Sequence, residues 1–119
     1  MLLEIPLNPI PNQQVTVVLN NQQITVNVYL QDVSLFCDVY LGSTPIILGM
    51  RANHGSYVNQ FASSLNGYLF WWDEDGLDPQ YQTLGTIGKL YYSDYDALSL
   101  IYAQWVIDNK AALQAEFGI

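Results

Sequence analysis

The sequence predicts a mainly β fold, a small β-barrel or sandwich of about six strands with one C-terminal α-helix. Apolar and polar residues alternate over residues 22–30, which is the period of a half-buried strand. From about residue 94 onward, the apolar residues recur at helical spacing. The chain has 119 residues, of which 50% are hydrophobic, so it is long enough for one domain with its own core.

The strands are predicted from alternation and from the turn residues between them. Residues 14–30 predict a hairpin, because Asn20 and Asn21 tolerate the positive φ of a two-residue turn. Residues 49–66 contain glycine, asparagine and serine with scattered apolar residues, and we expect part of this segment to be loop. Further strands are predicted over residues 34–41, 46–48, 68–72 and 89–92.

The C-terminal helix is predicted over residues 94–116. Ser93 and Asp96 resemble a capping box, with Asp in place of the usual Glu or Gln. One mostly apolar stripe follows at helical spacing, made of Leu98, Ile101, Tyr102, Trp105, Asn109, Ala112 and Leu113.

Three prolines, Pro6, Pro9 and Pro11, predict an extended arm at residues 1–13. Because proline lacks a backbone donor, this arm suits an edge strand or a strap laid on a neighbouring chain. We expect deletion of residues 1–12 to weaken assembly and to leave the domain folded. The chain then divides into the arm (1–13), a β domain (14–93) and the helix (94–119), within a single domain overall.

Charge and cysteine content exclude several classes of function. The net charge is −8 with only three basic residues, which argues against nucleic-acid binding and against an anionic membrane surface. The single cysteine cannot form an internal disulfide. Residues 1–7 lack the basic region of a signal peptide, and no apolar stretch approaches the roughly 20 residues of a membrane span.

The sequence contains no recognisable catalytic motif, and we predict no catalytic residue, no cofactor and no metal ligand. Cys37 lies in line with apolar residues of its strand and is expected to be a small buried side chain. His54 falls in a predicted loop, where we expect it to be exposed. The chain contains neither a serine nucleophile elbow nor a phosphate-binding glycine loop.

Two binding hypotheses stay open beside simpler interpretations. Asp73, Asp75 and Asp78 are possible calcium ligands, but their spacing departs from an EF-hand and also fits a solvated turn. An aromatic strand is a possible sugar-stacking surface for host recognition, although core packing plus an interface explains it equally well. The rings on one face of this strand are Tyr68, Phe70 and Trp72.

The sixteen aromatic residues exceed what one small core can hide. Large side chains lie on both faces of several predicted strands, and charged residues are few. This composition is typical of the buried part of a protein–protein interface, so we predict a subunit of a permanent assembly.

Two segments resemble the small baseplate plug family of contractile-tailed bacteriophages, the cyanophage type. Residues 5–13 run directly into the strand at 15–19, and residues 76–85 contain the pattern Asp-Pro-x-Tyr-x-x-Leu-Gly. The turn at residues 42–46 and the strand at 89–92 stand in the expected order between and after them. The resemblance spans roughly residues 4–95.

The resemblance implies a non-enzymatic structural component of the virion tail baseplate. It implies a plug at the distal end of the tail tube, with the hub, the spike and the tube end as partners. Synthesis in the host bacterial cytoplasm and a homo-oligomer, a trimer or a hexamer, fit such a part. We predict that the partner contacts include Pro6, Pro9, Pro11, Tyr68, Trp71 and Trp105.

Overall fold

The computed structural model describes residues 1–59 and 64–110, which form seven β-strands and one α-helix. A single turn of 3-10 helix at Tyr81–Thr83 precedes the last strand. In chain order the elements are β1 (Leu2–Ile5), β2 (Asn12–Leu19), β3 (Gln22–Gln31), β4 (Ser34–Leu41), β5 (Thr44–Arg51), β6 (Tyr68–Asp73), β7 (Gly88–Ser93) and α1 (Ala97–Asp108).

The strands form two antiparallel sheets with the orders β2-β3-β4-β5 and β1-β7-β6. Their apolar faces share one core, so the arrangement is a sandwich. The predicted mainly β class with a C-terminal helix is confirmed. Of the two predicted architectures the sandwich is correct, and the barrel is wrong because the two sheets are not joined into a closed one.

The β2–β3 hairpin confirms the prediction for residues 14–30. Asn20 and Asn21 have φ of 52° and 60°, as a two-residue turn with left-handed residues requires. The ladder pairs Val15 with Val26 and Val17 with Ile24, so the apolar set of both strands lies on the core side.

The β4–β5 pair contains a bulge that the sequence analysis missed. The register shifts opposite residues 37–40, and Gly49 adopts a positive φ of 68° there. Asp38 stabilises the irregularity, since its Oδ1 accepts hydrogen bonds from the Gly49 amide at 2.7 Å and the Tyr29 hydroxyl at 3.1 Å. Strand β5 is therefore longer than the predicted 46–48, and as an edge strand it tolerates Pro45.

The core lies between the inner faces of the two sheets. Val26 and Val39 on one sheet face Leu69, Leu90 and other apolar residues on the second sheet. Trp71 belongs to this core and is 1% exposed. Its prediction as a partner contact is therefore wrong, because the strand alternation turns Trp71 inward together with Leu69.

The first strand is part of this chain's own sandwich. β1 pairs antiparallel with β7, with Ile5 opposite Leu90, and Lys89 lies 3.5 Å from the Glu4 carboxylate. Ile5 and Leu7 are 1% and 7% exposed and belong to the core. Of the two roles that the prolines left open, residues 2–5 take that of an edge strand, and Pro6 follows the strand directly.

The two segments that carry the family resemblance meet in space. Leu84 is buried in the core, and Gly85 follows it with a positive φ of 86°. A Cβ at position 85 would lie 2.6 Å from the Leu7 carbonyl oxygen. Glycine at this position thus lets the backbone after β1 pass closely over the segment before β7.

Helix α1 begins at Ala97, later than predicted. Asp96 caps it by accepting a hydrogen bond from the Ser99 amide at 3.2 Å. Ser93 is still the last residue of β7, and its hydroxyl accepts from the Tyr95 amide, so its prediction as the helix cap is wrong. The predicted helix end at residue 116 lies outside the described residues.

The burial of β1 makes Ile5 a test of the fold. Ile5→Ala is expected to lower the free energy of unfolding by about 2–5 kcal/mol, because it leaves a cavity in the core. Urea denaturation of the two proteins measures this difference. Ile10→Ala, at a residue 43% exposed, is the matched control. An equal cost for both variants would mean that β1 does not contribute to the core.

The same burial changes the expectation for the arm. Deletion of residues 1–12 removes Ile5 and Leu7 from the core together with the ladder to β7. The shortened chain is therefore expected to lose stability and not merely assembly.

Candidate functional site

The outer face of the β1-β7-β6 sheet carries a cluster of aromatic rings. Phe70 stacks on Tyr91 with ring centroids 5.5 Å apart and meets Tyr57 edge-on at 6.4 Å. The first turn of α1 covers these rings, since Ala97 and Leu98 are buried against Phe70. This face therefore forms a second, smaller core that fixes the start of the helix.

The packing of α1 on the outer face of the sheet argues against the sugar-stacking hypothesis. Tyr68, Phe70 and Trp72 do share one face, as predicted. Phe70 is nevertheless 0% exposed, so the middle ring of the predicted platform is not accessible. A three-ring carbohydrate surface on this strand is therefore ruled out in the described conformation.

A cleft opens beside this cluster, between α1 and the loop that precedes β6. The ring of Trp72 lies 4.5 Å from that of His54 and 5.7 Å from that of Tyr102, measured between centroids. The Tyr102 hydroxyl donates a hydrogen bond to the Gly55 carbonyl at 2.9 Å. The cleft has a volume of about 630 Å³, and we call it the aromatic cleft; its lining consists of His54, Trp72, residues 73–76, Tyr102 and Trp105.

His54 is half-buried, whereas a loop position predicted exposure. Its Nδ1 accepts a hydrogen bond from the Asp73 amide at 3.0 Å, so in the neutral ring the proton lies on Nε2. His54 and Tyr102 are the site residues that sequence reasoning missed. The spacing of Tyr102 and Trp105 on one helix face was the available signal for half of the cleft.

The acidic turn forms one wall of the aromatic cleft. Asp73 is 4% exposed, and its Oδ1 accepts from the Asp75 amide at 2.9 Å. The Asp78 carboxylate pairs with Arg51 at 3.1 Å and accepts from the His54 amide at 3.1 Å. Within residues 1–59 and 64–110, no three His, Cys, Asp or Glu side chains lie where they could hold a metal ion together. These aspartates thus shape the backbone of the turn.

The lone thiol lies away from this cleft. Cys37 is fully buried in the core, as its strand pattern predicted, and burial raises the pKa of its thiol to about 12. His54 packs on Trp72 outside that core. The structure does not bring a thiol and an imidazole together, which removes the arrangement that a cysteine nucleophile needs.

Beyond its first turn, α1 carries several large apolar side chains that are substantially exposed. Trp105 is 50% exposed and Ile107 is 65% exposed. Exposed apolar surface of this kind is typical of sites that contact another molecule. No helix in the described part of the chain is long and apolar enough to cross a membrane. We call the following set the projecting helix residues: Leu100, Tyr102, Trp105, Val106 and Ile107.

The other predicted contact residues lie at the surface. Pro6 and Pro9 are exposed, Pro11 is half-buried, and Tyr68 is 36% exposed. The segment between Asn8 and Gln13 is held by its own hydrogen bonds, because the Gln13 side-chain amide bonds both the Asn8 amide and its carbonyl at 2.8 and 2.7 Å.

Comparison with protein-family models matches residues 2–96 to the family described as cyanophage baseplate Pam3 plug gp18. The chain belongs to this family. The resemblance to baseplate plugs is thereby confirmed, and membership supports a structural role at the baseplate of the virion tail. A search of curated proteins gives no match. The matched range ends at Asp96, the helix cap, so α1 lies after it.

The contact between Tyr102 and Gly55 is open to a direct test. Gly55 has a positive φ of 66°, and a Cβ there would collide with the Tyr102 hydroxyl. Gly55→Ala is therefore expected to lower the melting temperature and to move Tyr102 away from Trp72, which tryptophan fluorescence reports. Gly42→Ala is the control, because Gly42 has a φ of 61° and nothing within 4 Å. This control should cost only about 1 kcal/mol from left-handed strain. Equal losses would show that the contact is not formed in solution.

The Cys37 thiol predicts a dependence of stability on pH. Its folded pKa is raised to about 12, above the ordinary value of about 8.5 for the unfolded chain. The unfolded chain therefore loses this proton first, and stability falls as pH rises through that interval, by at most about 1.4 kcal/mol per pH unit.

Urea titrations at increasing alkaline pH measure this slope. The free energy of unfolding of Cys37→Ala should fall less with rising pH. The remaining fall is then due to other groups such as Tyr91, whose pKa is also raised by burial. Identical slopes for both proteins would contradict the assignment to the thiol.

Proposed function

We propose that this chain is a non-enzymatic structural subunit of the baseplate of a contractile phage tail. In this role it is the plug that closes the distal end of the tail tube, near the hub and the spike, until infection. The observation that carries the proposal is the family match, which covers the whole sandwich from β1 to β7.

The surface of the chain supports assembly with other tail proteins. The projecting helix residues are between 43% and 65% exposed, and they follow a β body whose main core contains no residue of the helix. A subunit that buries this helix against a neighbour would remove a large apolar area from water, at roughly 25 cal/mol for each Å². We propose that Trp105, Tyr68 and the prolines at 6, 9 and 11 are among the contacts.

The charge of the chain suits a position next to the tail lumen. A net charge of −8 repels DNA, so a genome passing through the tube would not adhere to the plug. A closed ring, a trimer or a hexamer, would match the symmetry of a tail axis. Such a subunit would be made in the cytoplasm of the host bacterium and incorporated during tail assembly.

Labelling of intact particles tests the proposed location. Antibodies raised against the purified chain and coupled to gold are expected to bind the distal end of the tail in electron micrographs. Labelling of the capsid or of the tail shaft would contradict the proposal. Particles treated with non-immune antibody are the control.

The contribution of the projecting helix is measured by assembly in solution. Trp105→Asp is expected to weaken self-association or capture by co-expressed baseplate proteins by tenfold or more, because it places a charge within an apolar contact. The melting temperature should stay unchanged, since Trp105 is 50% exposed. Val33→Asp, at a 91% exposed position of the β3–β4 turn, is the matched control. Light scattering behind size exclusion gives the mass, and equal behaviour of both variants would exclude α1 from the interface.

A further inference from the structure

We propose that the aromatic cleft is a receptor for a basic side chain, an arginine, that is presented by another protein. This inference deepens the proposed function, on which it rests for the nature of that protein as a tail component. The juxtaposition that carries it is a set of aromatic rings beside the exposed carboxylates of Glu74 and Asp75 in one cavity of about 630 Å³.

The rings of the cleft are held in place before any ligand binds. Tyr102 is fixed by its hydrogen bond to the Gly55 carbonyl, and His54 by the one it accepts from the Asp73 amide. Trp72 lies between these two rings, at 4.5 Å from His54 and 5.7 Å from Tyr102. Trp105 stays 50% exposed at the open side. A cation placed against such ring faces is attracted by their quadrupoles.

Within residues 1–59 and 64–110, none of the carboxylates that line the cleft forms an ion pair. The ion pairs among the described residues use Glu4, Asp78 and Asp94 as acids, and neither Glu74 nor Asp75 takes part. The Glu74 amide is bonded to the Ile87 carbonyl, which fixes the backbone of this wall. Two acidic side chains beside aromatic rings therefore give the cleft a negative potential that a cation would neutralise.

The basic group must come from outside the sandwich. The sequence has three basic residues, of which Arg51 is paired with Asp78 and Lys89 with Glu4. Lys110, two residues beyond the end of α1, is the third. A partner of opposite composition, with an exposed arginine, is the occupant that complements a chain of net charge −8.

The chemistry of the cleft favours a cation over a sugar. The carboxylates of Glu74 and Asp75 attract a cation, whereas a neutral sugar carries no charge for them to attract. The Tyr102 hydroxyl already donates its hydrogen bond to the Gly55 carbonyl and so cannot donate to a sugar at the same time. Arginine suits the site better than lysine, because its planar guanidinium stacks on rings and bonds carboxylates in a fork.

The cleft also joins the two parts of the chain that the family match separates. His54, Trp72 and the acidic turn lie within the matched residues 2–96, whereas Tyr102 and Trp105 lie on α1 after them. A residue bound in the cleft would therefore contact the sandwich and the helix at once and would hold α1 at a fixed angle.

A titration with a small probe tests the proposal on the full chain. Nα-acetyl-arginine amide is added while the indole N–H signals of the three tryptophans are followed by NMR. Trp72 and Trp105 are expected to shift saturably, and the buried Trp71 serves as an internal control. The neutral isostere Nα-acetyl-citrulline amide is expected to give no saturable shift, and added salt should weaken the arginine response.

Paired variants locate the binding to the cleft. Trp105→Leu, and separately Glu74→Gln combined with Asp75→Asn, are each expected to raise the Kd of the probe by about three- to tenfold. Tyr95→Leu, at a residue 41% exposed, and Asp32→Asn are the matched controls elsewhere on the surface, and each should leave the Kd within about twofold.

The other outcomes each overturn the proposal. Absent shifts, or equal shifts with the citrulline analogue, would show that the cleft does not recognise a cation. Saturable shifts with N-acetylglucosamine at lower concentration would assign it to a sugar. Shifts that arise on concentrating the protein alone and vanish in Lys110→Gln would assign the cation to a second copy of this chain. Gold labelling of the baseplate separates the two proposals, since it would uphold the proposed function even where the titration fails.

Discussion

The pairing of β7 with strands on both sides is the constraint on which the rest of the structure depends. β7 is the middle strand of its sheet, between β1 from the start of the chain and β6. Its inward residues Leu90 and Tyr92 complete the core of the sandwich, and its outward Tyr91 stacks on Phe70 under the helix. One strand thus determines the position of the first segment, the closure of the core and the point from which α1 leaves the body.

The candidate site follows from that geometry. Because α1 begins directly after β7, its first turn must pack on the outer face of the same sheet, where Phe70 is buried against Ala97 and Leu98. The helix then continues past the loop before β6, and Tyr102 reaches the Gly55 carbonyl across 47 positions of sequence. Among the described residues, Val106 and Ile107 beyond these contacts stay 50% and 65% exposed.

Local signals in the sequence were sufficient for most strands and not for their arrangement. The Asn20–Asn21 turn and the alternation through β4 are short-range patterns, and both predictions are confirmed. The choice between a sandwich and a barrel depends on the pairing of β1 with β7, which lie near opposite ends of the described chain. No local sequence pattern encodes a pairing over that distance. Composition misassigned Trp71, because an excess of aromatic residues does not say which ring faces inward. The burial of His54 was missed because its hydrogen-bond partner, the Asp73 amide, lies in a different segment of the sequence.

The family match separates the chain into two parts, the sandwich within residues 2–96 and helix α1 after them, and the two parts differ in their physical roles. The matched body ends at the helix cap, and within it the two resembling segments hold each other through Leu7 and Gly85. These residues serve the fold, because the close approach of the two backbones requires glycine at position 85. Helix α1 lies outside the match and contributes little to the main core, yet it carries Trp105, the most exposed aromatic residue in the described part of the chain. Because the main core of the sandwich contains no residue of α1, the exposed part of the helix is free to meet a partner without disturbing that core. The aromatic cleft, built from both halves, is the place where that contact can be made specific.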